Sequence, residues 1–537
     1  MSALVLLLAL LAGLAVRAMG YPPLIGYLVA GFLCSSLGFG SLEQLKPLAD
    51  FGITMLLFTI GLKLRLSVLK KPYIFGTAVL QLLIVVPLTA ALIMLVGMFY
   101  TPLGTQSWLA PWTLAFALSF SSTVFAIKIF DERGENNSFH AAIAVGVLVI
   151  QDVLAVAYLV LASGDIPSPW VALLLLLPFT RQWWKPLVSR VLAFAGHGEL
   201  QLLFGIVIAV CAYELFELFQ LKGGLGALVV GAIIGYADAP RSTELYNRLV
   251  NLKNLFLIAF FLQIGYYGIP EFSMLLVALV LVLLLVLRPV IYFALFTLMR
   301  LRSRTAVLAG ASLSTYSEFG LIVAAFAANE GLLGSDWLVT LALAIAMTFI
   351  VATPVNKSIH TFYRKYSPRL KPYEKERLPE EEIEQLGDSD IVVLGMGRVG
   401  HGAYQYLVQN YGERVIGVEE SYTRAVELRD KEVKCVHGDA SDRDFWDQTN
   451  LHNREMVLVS LSNHRENLHV INMARELGCT CTLAATARFE DERKQLEEMG
   501  CIAFNVYADV GWGFAEHVDA VIHLDDGGSR RPLDAGS

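Results

Sequence analysis

Gln151-Asp152 stands midway along an otherwise apolar stretch, Phe139 to Ser163, the last place where a carboxylate is expected without a reason. A charged side chain near the centre of a bilayer is costly and usually marks an ion or proton pathway. Such a carboxylate can hold a proton or a dehydrated alkali cation, but desolvation and mutual repulsion oppose holding both. Burial favours the protonated form, and an arriving cation favours the charged one. Competition for one carboxylate is exchange, so Asp152 is expected to be the centre of an ion site. The competing reading is an Asp that is protonated or paired and only braces a helix bundle.

Two further stretches carry polar groups midway through apolar runs: Ser119-Phe120-Ser121-Ser122-Thr123 and Ser312-Leu313-Ser314-Thr315-Tyr316-Ser317-Glu318. Unwinding there would expose carbonyls to a cation and leave half-helix ends whose dipoles balance nearby charge. Ser121, Ser122 and Thr123 are therefore expected beside Gln151 and Asp152, although hydroxyls in membrane helices also bond their own backbone. Arg288, just before Pro289, lies deep in another run. It can neutralise a half-helix C-terminus or pair with a carboxylate such as Glu318. A permanently charged guanidinium is a poor proton carrier, so Arg288 and Glu318 are expected to balance charge. Lys128, near the end of its run, reads as a snorkelling side chain.

The elements that must hold these residues are membrane helices. The chain has 537 residues, 55% hydrophobic and 17% charged, against about a quarter charged in ordinary soluble domains. Apolar runs of about 20 residues recur up to residue 362 and number about thirteen, beginning near residues 2, 21, 47, 71, 109, 138, 167, 198, 222, 247, 271, 304 and 335. The first, Ala3 to Val16, has no basic segment before it and reads as a span, not as a signal peptide. Alternate connections carry Arg17, then Lys63, Arg65, Lys70 and Lys71, then Arg133, then Arg181, Lys185 and Arg190, then Arg241, Arg248 and Lys253, then Arg300, Arg302 and Arg304. The others hold little beyond Lys46 and Lys222. This bias puts the basic connections in the cytoplasm and the N-terminus outside. Gly26, Leu28, Val29 and Gly31 recur in register as Gly226, Leu228, Val229 and Gly231. The following spans match as Phe58-Thr59-Ile60-Gly61 and Leu262-Gln263-Ile264-Gly265. Repeats seven spans apart run in opposite directions, the pattern of an inverted repeat in secondary transporters.

Beyond residue 362 the apolar runs stop. The chain divides into a membrane domain (1–362), a charged, Pro-broken linker (363–388) with a short acidic helix over Glu380 to Gln385, a nucleotide-binding domain (389–510) and a tail (511–537). Asp390 to Leu394 is a buried-strand pattern. Gly395-Met396-Gly397-Arg398-Val399-Gly400 follows it, opens a helix, and is succeeded by a second strand, Arg414 to Glu419. In that context the glycines let backbone amides approach a phosphate at a helix N-terminus, and Glu419 takes ribose hydroxyls. Strands are also expected over Val433–Val436, Met456–Ser460 and Thr482–Ala485, with Gly438-Asp439-Ala440-Ser441 towards the adenine. Too little chain follows for a substrate domain, so a ligand sensor is favoured over an oxidoreductase. The six cysteines lack paired CxxC spacing and read as reduced bystanders. The net charge of -7, with no long basic block, gives no sign of nucleic acid.

Ser121-Ser122-Thr123, Gln151-Asp152, Glu318-Phe319, and Gly395 to Gly400 with Glu419 and Gly438-Asp439-Ala440 resemble, over nearly the whole chain, the Kef-type members of the cation/proton antiporter-2 family. Those proteins bear a TrkA-N (RCK N-lobe) domain. The resemblance implies about 13 membrane helices, two of them discontinuous, plus a Rossmann-like α/β domain in a homodimer of the bacterial inner membrane. It implies K+ or Na+ exchanged for H+ by an elevator-type motion, with AMP or NAD(H) as a regulatory ligand at Gly395, Gly397, Arg398, Val399, Gly400, Glu419, Asp439 and Ala440. Gln151 in place of a second carboxylate implies electroneutral exchange. Arg248 stands where glutathione-gated members carry an acid, so glutathione control is not expected. A ligand-gated potassium channel would need a TVGYG-like carbonyl filter, which the sequence lacks.

Overall fold

The computed structural model describes residues 3–525 except 64–70, 100–107, 134, 136–137, 163–180, 197, 219–222, 238, 267–269, 335 and 462. The seventh expected span from residue 167, Arg65, Lys70, Lys222 and the tail beyond Asp525 lie outside the described residues. The chain forms two compact units, Met1–Ile129 with Ile143–Glu376, and Phe130–Ala142 with Arg377–Ser537.

The first unit is helical, because in hydrocarbon every backbone N–H and C=O must be satisfied within the segment. Its helices, with the short Phe130–Ala142 stretch they pass through, run in order: α1 Ala3–Ala18, α2 Pro23–Ser36, α3 Leu42–Lys63, α4 Pro72–Phe99, α5 Ala110–Ser119, α6 Thr123–Arg133, α7 Phe139–Ala162 and α8 Arg181–Ala195. These are followed by α9 Glu199–Leu218, α10 Gly223–Ala237, α11 Ala239–Gly265, α12 Phe272–Leu284, α13 Leu287–Leu298, α14 Ser303–Ser312, α15 Glu318–Asn329 and α16 Asp336–Leu370. They pack in two sets. In one, α3 lies against α10 and α11, and α2 against α1 and α11. In the other, α4 meets α5 and α13, α15 meets α5, and α16 meets α12 and α14.

Glycines set the closest approaches in the first set. Gly31 of α2 lies against Gly265 and the Leu262 carbonyl of α11, and Gly231 of α10 lies against Gly61 and the Phe58 carbonyl of α3. A Cβ at either would strike backbone, which does not yield. Gly26 against Ala12 and Gly226 against Ala212 repeat the correspondence one turn earlier. The two glycine pairs among the four matched positions thus make matching contacts, as an internal repeat requires.

The structure departs from the sequence reading at the domain junction. α16 is 35 residues long and continues through Pro354 and Pro368 to Leu370, past the expected linker boundary. At 1.5 Å per residue it is about 50 Å, longer than the roughly 30 Å of hydrocarbon. The acidic segment forms only a single 3-10 turn, Pro379–Glu381, in place of a helix. Extended chain after it lets Ile383 and Leu386 reach the core of the α/β domain. It also lets Glu384 pair with Arg429 at 3.1 Å and accept from the His437 amide at 2.9 Å.

The second unit is a parallel sheet: β1 Ile391–Leu394, β2 Val415–Glu419, β3 Cys435–His437, β4 Met456–Val459, β5 Thr482–Ala487 and β6 Ile502–Asn505, in the order β3-β2-β1-β4-β5-β6. Helices α17 Arg398–Tyr411, α18 Tyr422–Arg429, α19 Arg443–Thr449, α20 His464–Glu476 and α21 Glu490–Glu498 connect the strands, and α22 Val506–Asp525 follows. Leu394 pairs in register with Val418 and with Val459, so the C-terminal ends of β1, β2 and β4 line one edge. Strand order reverses between β1 and β4, the switch point where such sheets bind ligands. Contrary to the expectation of reduced bystanders, Cys479 and Cys481 are joined as a disulfide. Cys435 and Cys501 are free and buried, and burial pushes the Cys435 thiol up to about 12.

Candidate functional site

Both hydroxyl-rich stretches break their helices. α5 stops at Ser119, Phe120 is extended (φ -76°, ψ 145°), and α6 starts at Thr123. α14 stops at Ser312 and α15 starts at Glu318, where the Ser317 hydroxyl caps the new helix by accepting from the Phe319 amide at 3.1 Å. Asp152, 2% exposed, comes from α7 to the first break, where the Thr123 hydroxyl donates to its Oδ2 at 3.3 Å. The Ser122 hydroxyl donates to Glu318 Oε2 at 3.0 Å, and the Ser122 amide to Thr315 Oγ1 at 3.4 Å, so the two breaks are tied together.

Gln151 is committed elsewhere. Its Oε1 accepts from the Ser121 amide at 3.0 Å, and its Nε2 donates to Gln81 Oε1 and to the Tyr292 hydroxyl, both at 2.9 Å. Gln81 Nε2 in turn donates to the Ser119 carbonyl at 3.1 Å, and Ser121 Oγ lies 3.1 Å from the Tyr292 hydroxyl. This network satisfies the Ser119 carbonyl at the end of α5 and the Ser121 amide of the break, groups that a helix end otherwise leaves without partners. Gln151 and Ser121 are therefore bonded to the break itself.

Of the two arrangements left open for Arg288, the guanidinium adopts the one on backbone carbonyls. Its guanidinium donates to the carbonyls of Phe120 at 3.2 Å, Thr315 at 2.8 Å and Leu118, and it lies 5.0 Å over the ring of Tyr316. These carbonyls belong to the C-terminal end of α5 and to both breaks. A planar fork of donors on carbonyls at a negative dipole end is a fit that a point charge cannot copy. Glu318 instead meets Ser122 and sits in the first turn of α15, where the dipole favours an anion.

Sequence reasoning missed Gln81 and Tyr292. Gln81 lies in the middle of an apolar run and was visible to the criterion that found Asp152, had that criterion counted uncharged amides. Replacing it with Leu leaves the Ser119 carbonyl and one Gln151 donor buried without partners, each costing about 1–3 kcal/mol. Gln81→Leu is expected to lower thermal stability and to slow transport about tenfold or more in vesicles, with Asp152 untouched.

In the second unit the edge at β1, β2 and β4 opens into a cavity of about 820 Å³ whose walls include Gly395, Gly397, Arg398, Glu419 and Asp439. Gly395 has φ +88°, open to glycine at no steric cost, and its amide donates to the Val418 carbonyl at 2.9 Å. Val399 and Ala440 also face the cavity. Gly400 instead packs its bare Cα against the Gly395 carbonyl and the Ser460 hydroxyl, bringing α17 onto the sheet. Glu419 Oε1 accepts from the Ser421 amide at 3.1 Å, and Arg424 Nε lies 3.8 Å from Oε2. Asp439 Oδ1 accepts from the Ser441 amide at 2.8 Å and its hydroxyl at 2.6 Å. Glycine backbone, arginines and an acid at the tip of β2 fit the phosphate and ribose of a nucleotide.

The pattern of the family described as "Sodium/hydrogen exchanger, transmembrane" matches residues 4–359, and that of the TrkA-N domain matches residues 391–506. YbaL of Escherichia coli (strain K12), which carries the name of a cation/proton antiporter, is 27% identical over 533 residues, covering 92% of each chain. Among solved structures, the sodium proton antiporter MjNhaP1 from Methanocaldococcus jannaschii overlaps 69% of this chain and 96% of its own, at 14% identity and a TM-score of 0.46. The TrkA-N domain of YbaL overlaps 24% of this chain and 98% of its own, at 22% identity and a TM-score of 0.23. The family match covers most of the chain and carries the assignment: this protein belongs to the sodium/hydrogen exchanger family, as a multi-pass membrane cation/proton antiporter with a C-terminal TrkA-N domain.

Proposed function

We propose that the protein exchanges K+ or Na+ for H+ at Asp152, one proton per cation, under control of a nucleotide bound at the Gly395–Gly400 edge. The observation that carries this reading is the buried Asp152 carboxylate against Thr123 at the break between α5 and α6. Thr123 and carbonyls of the break supply cation ligands. Gln151, Ser121 and Ser122 fix the break, Arg288 offsets the carbonyl dipoles, and Glu318 balances charge at the start of α15. With an uncharged Gln151 beside it, Asp152 leaves one titrating group at the ligand position, which favours electroneutral exchange.

The two packing sets support an elevator motion, in which the set with both breaks moves against the set built on α3, α10 and α11. The basic connections support a cytoplasmic TrkA-N domain and an N-terminus outside, and the resemblance to the antiporter family is what implies a homodimer in the bacterial inner membrane. AMP and NAD(H), each carrying a phosphate and a ribose, are the ligands proposed for this pocket.

The test is pH-gradient dequenching in proteoliposomes with each alkali cation. One carboxylate shared by proton and cation predicts that the half-saturating cation concentration rises about tenfold per unit of pH below the pKa of the site. A half-saturation independent of pH overturns competition at one group. The same assay with AMP or NAD+ added should change the rate, and equal rates with and without each overturn nucleotide control.

A further inference from the structure

The nucleotide cavity has a wall that comes from neither the strands nor the loops of the α/β fold. Glu135 and Ser138, in the turn between α6 and α7, line it together with Arg398, Glu419 and Arg488. Three side chains here are buried: Glu135 and Ser138 are each 2% exposed and His140 1%. Glu135 Oε2 lies 3.0 Å from His140 Nε2 and 3.4 Å from Arg133 Nη1, and Ser138 Oγ lies 3.1 Å from the same His140 nitrogen. The Ser138 hydroxyl also accepts from the Ala141 amide at 3.3 Å, so it caps the start of α7. Ser138 is therefore coupled directly to the first turn of α7. Asp152 lies on the same helix, about 20 Å further along at 1.5 Å per residue.

We propose that Glu135 and Ser138 are contact residues for a bound nucleoside phosphate, and that through them occupancy of the pocket reaches the helix that carries Asp152. The inference rests on the nucleotide reading above and extends it from the α/β fold to the exchanger's own connection. A carboxylate and a hydroxyl match the hydroxyl donors of ribose, whereas phosphates are left to the Gly395–Gly400 backbone and the arginines. The turn is held by side chains to both α6 and α7, so ligand contact alters how α7 starts. Because binding linkage is reciprocal, a saturating transported cation must then change nucleotide affinity as well.

Hydrogen exchange read by mass spectrometry on the full-length protein in nanodiscs tests this, with AMP and NAD+ as separate probes. At about ten times Kd, amides whose opening requires ligand release slow by about tenfold. The expected result is slowing both over residues 395–401 and over residues 138–142. Slowing over 395–401 alone overturns the inference and leaves the nucleotide reading standing, and slowing over neither with either probe overturns both. Slowing with one probe only, over both segments, supports the inference and identifies the ligand. Glu135→Ala, as a second arm, removes a charged hydrogen-bond acceptor, and nucleotide binding should weaken about tenfold or more. The ratio of exchange rates with and without nucleotide should fall towards one. Unchanged affinity and an unchanged ratio in that variant would falsify the role of the turn.

Discussion

Asp152→Asn is expected to abolish cation/proton exchange while leaving the fold intact. Asn has the shape of Asp, and its carbonyl oxygen can still accept from Thr123. It removes both the titrating proton and the charge that offsets a dehydrated cation. A cation about 3 Å from a carboxylate gains about 5 kcal/mol at an effective dielectric of about 20, so its loss weakens binding by about four orders of magnitude. Dequenching in proteoliposomes should show no exchange above empty vesicles for any alkali cation. Thermal stability should hold or rise, because a buried carboxylate no longer needs compensation. Exchange that survives in the Asn variant sinks the assignment of Asp152, whatever its effect on stability.

What the sequence disclosed and what it hid follow from the range of the interactions. The helix breaks were legible because clustered hydroxyls at Ser119–Thr123 and Ser312–Ser317 offer the backbone a local alternative to the helix. The glycine register was legible because close packing needs small residues at fixed spacing, and the structure pairs Gly31 with Gly265 and Gly231 with Gly61. The β1 to β2 nucleotide motif was legible because its glycines, strand and acid are local in sequence. The Gln81–Gln151–Tyr292 network was hidden, since it joins three helices whose neighbours in space are far apart in the chain. β6 went unpredicted, as Ile502-Ala503-Phe504-Asn505 has one β-branched residue and no buried-strand run. The linker misled for a different reason. Pro368 signals a helix end in water, but α16 passes through it, as it does through Pro354. Buried side chains also mend part of its surroundings: Asn356 donates to the Ala352 carbonyl of its own helix at 3.0 Å and to Ala311 of α14 at 3.2 Å.

Arg288 is the position where sequence left two roles open, and the one chosen gives the second large effect. Were it the partner of Glu318, removing both charges together would restore stability, as replacing a whole buried ion pair often does. In the structure the guanidinium serves carbonyls of Leu118, Phe120 and Thr315, which no substitution at Glu318 can satisfy. Arg288→Met is therefore expected to cost about 3–5 kcal/mol, the scale for leaving buried polar partners uncompensated, and to abolish exchange because both breaks lose their shared anchor. Arg288→Lys should recover part of the stability, since an ammonium keeps the charge but reaches fewer of the three carbonyls. The decisive comparison is Arg288→Met with and without Glu318→Gln, read by thermal unfolding in detergent. The double variant should stay as unstable as Arg288→Met alone, because the missing donors and not a missing charge pair are what the breaks lack. Rescue by Glu318→Gln would instead mean that the two residues balance each other directly, and the carbonyl anchor would lose its claim as the main role of Arg288.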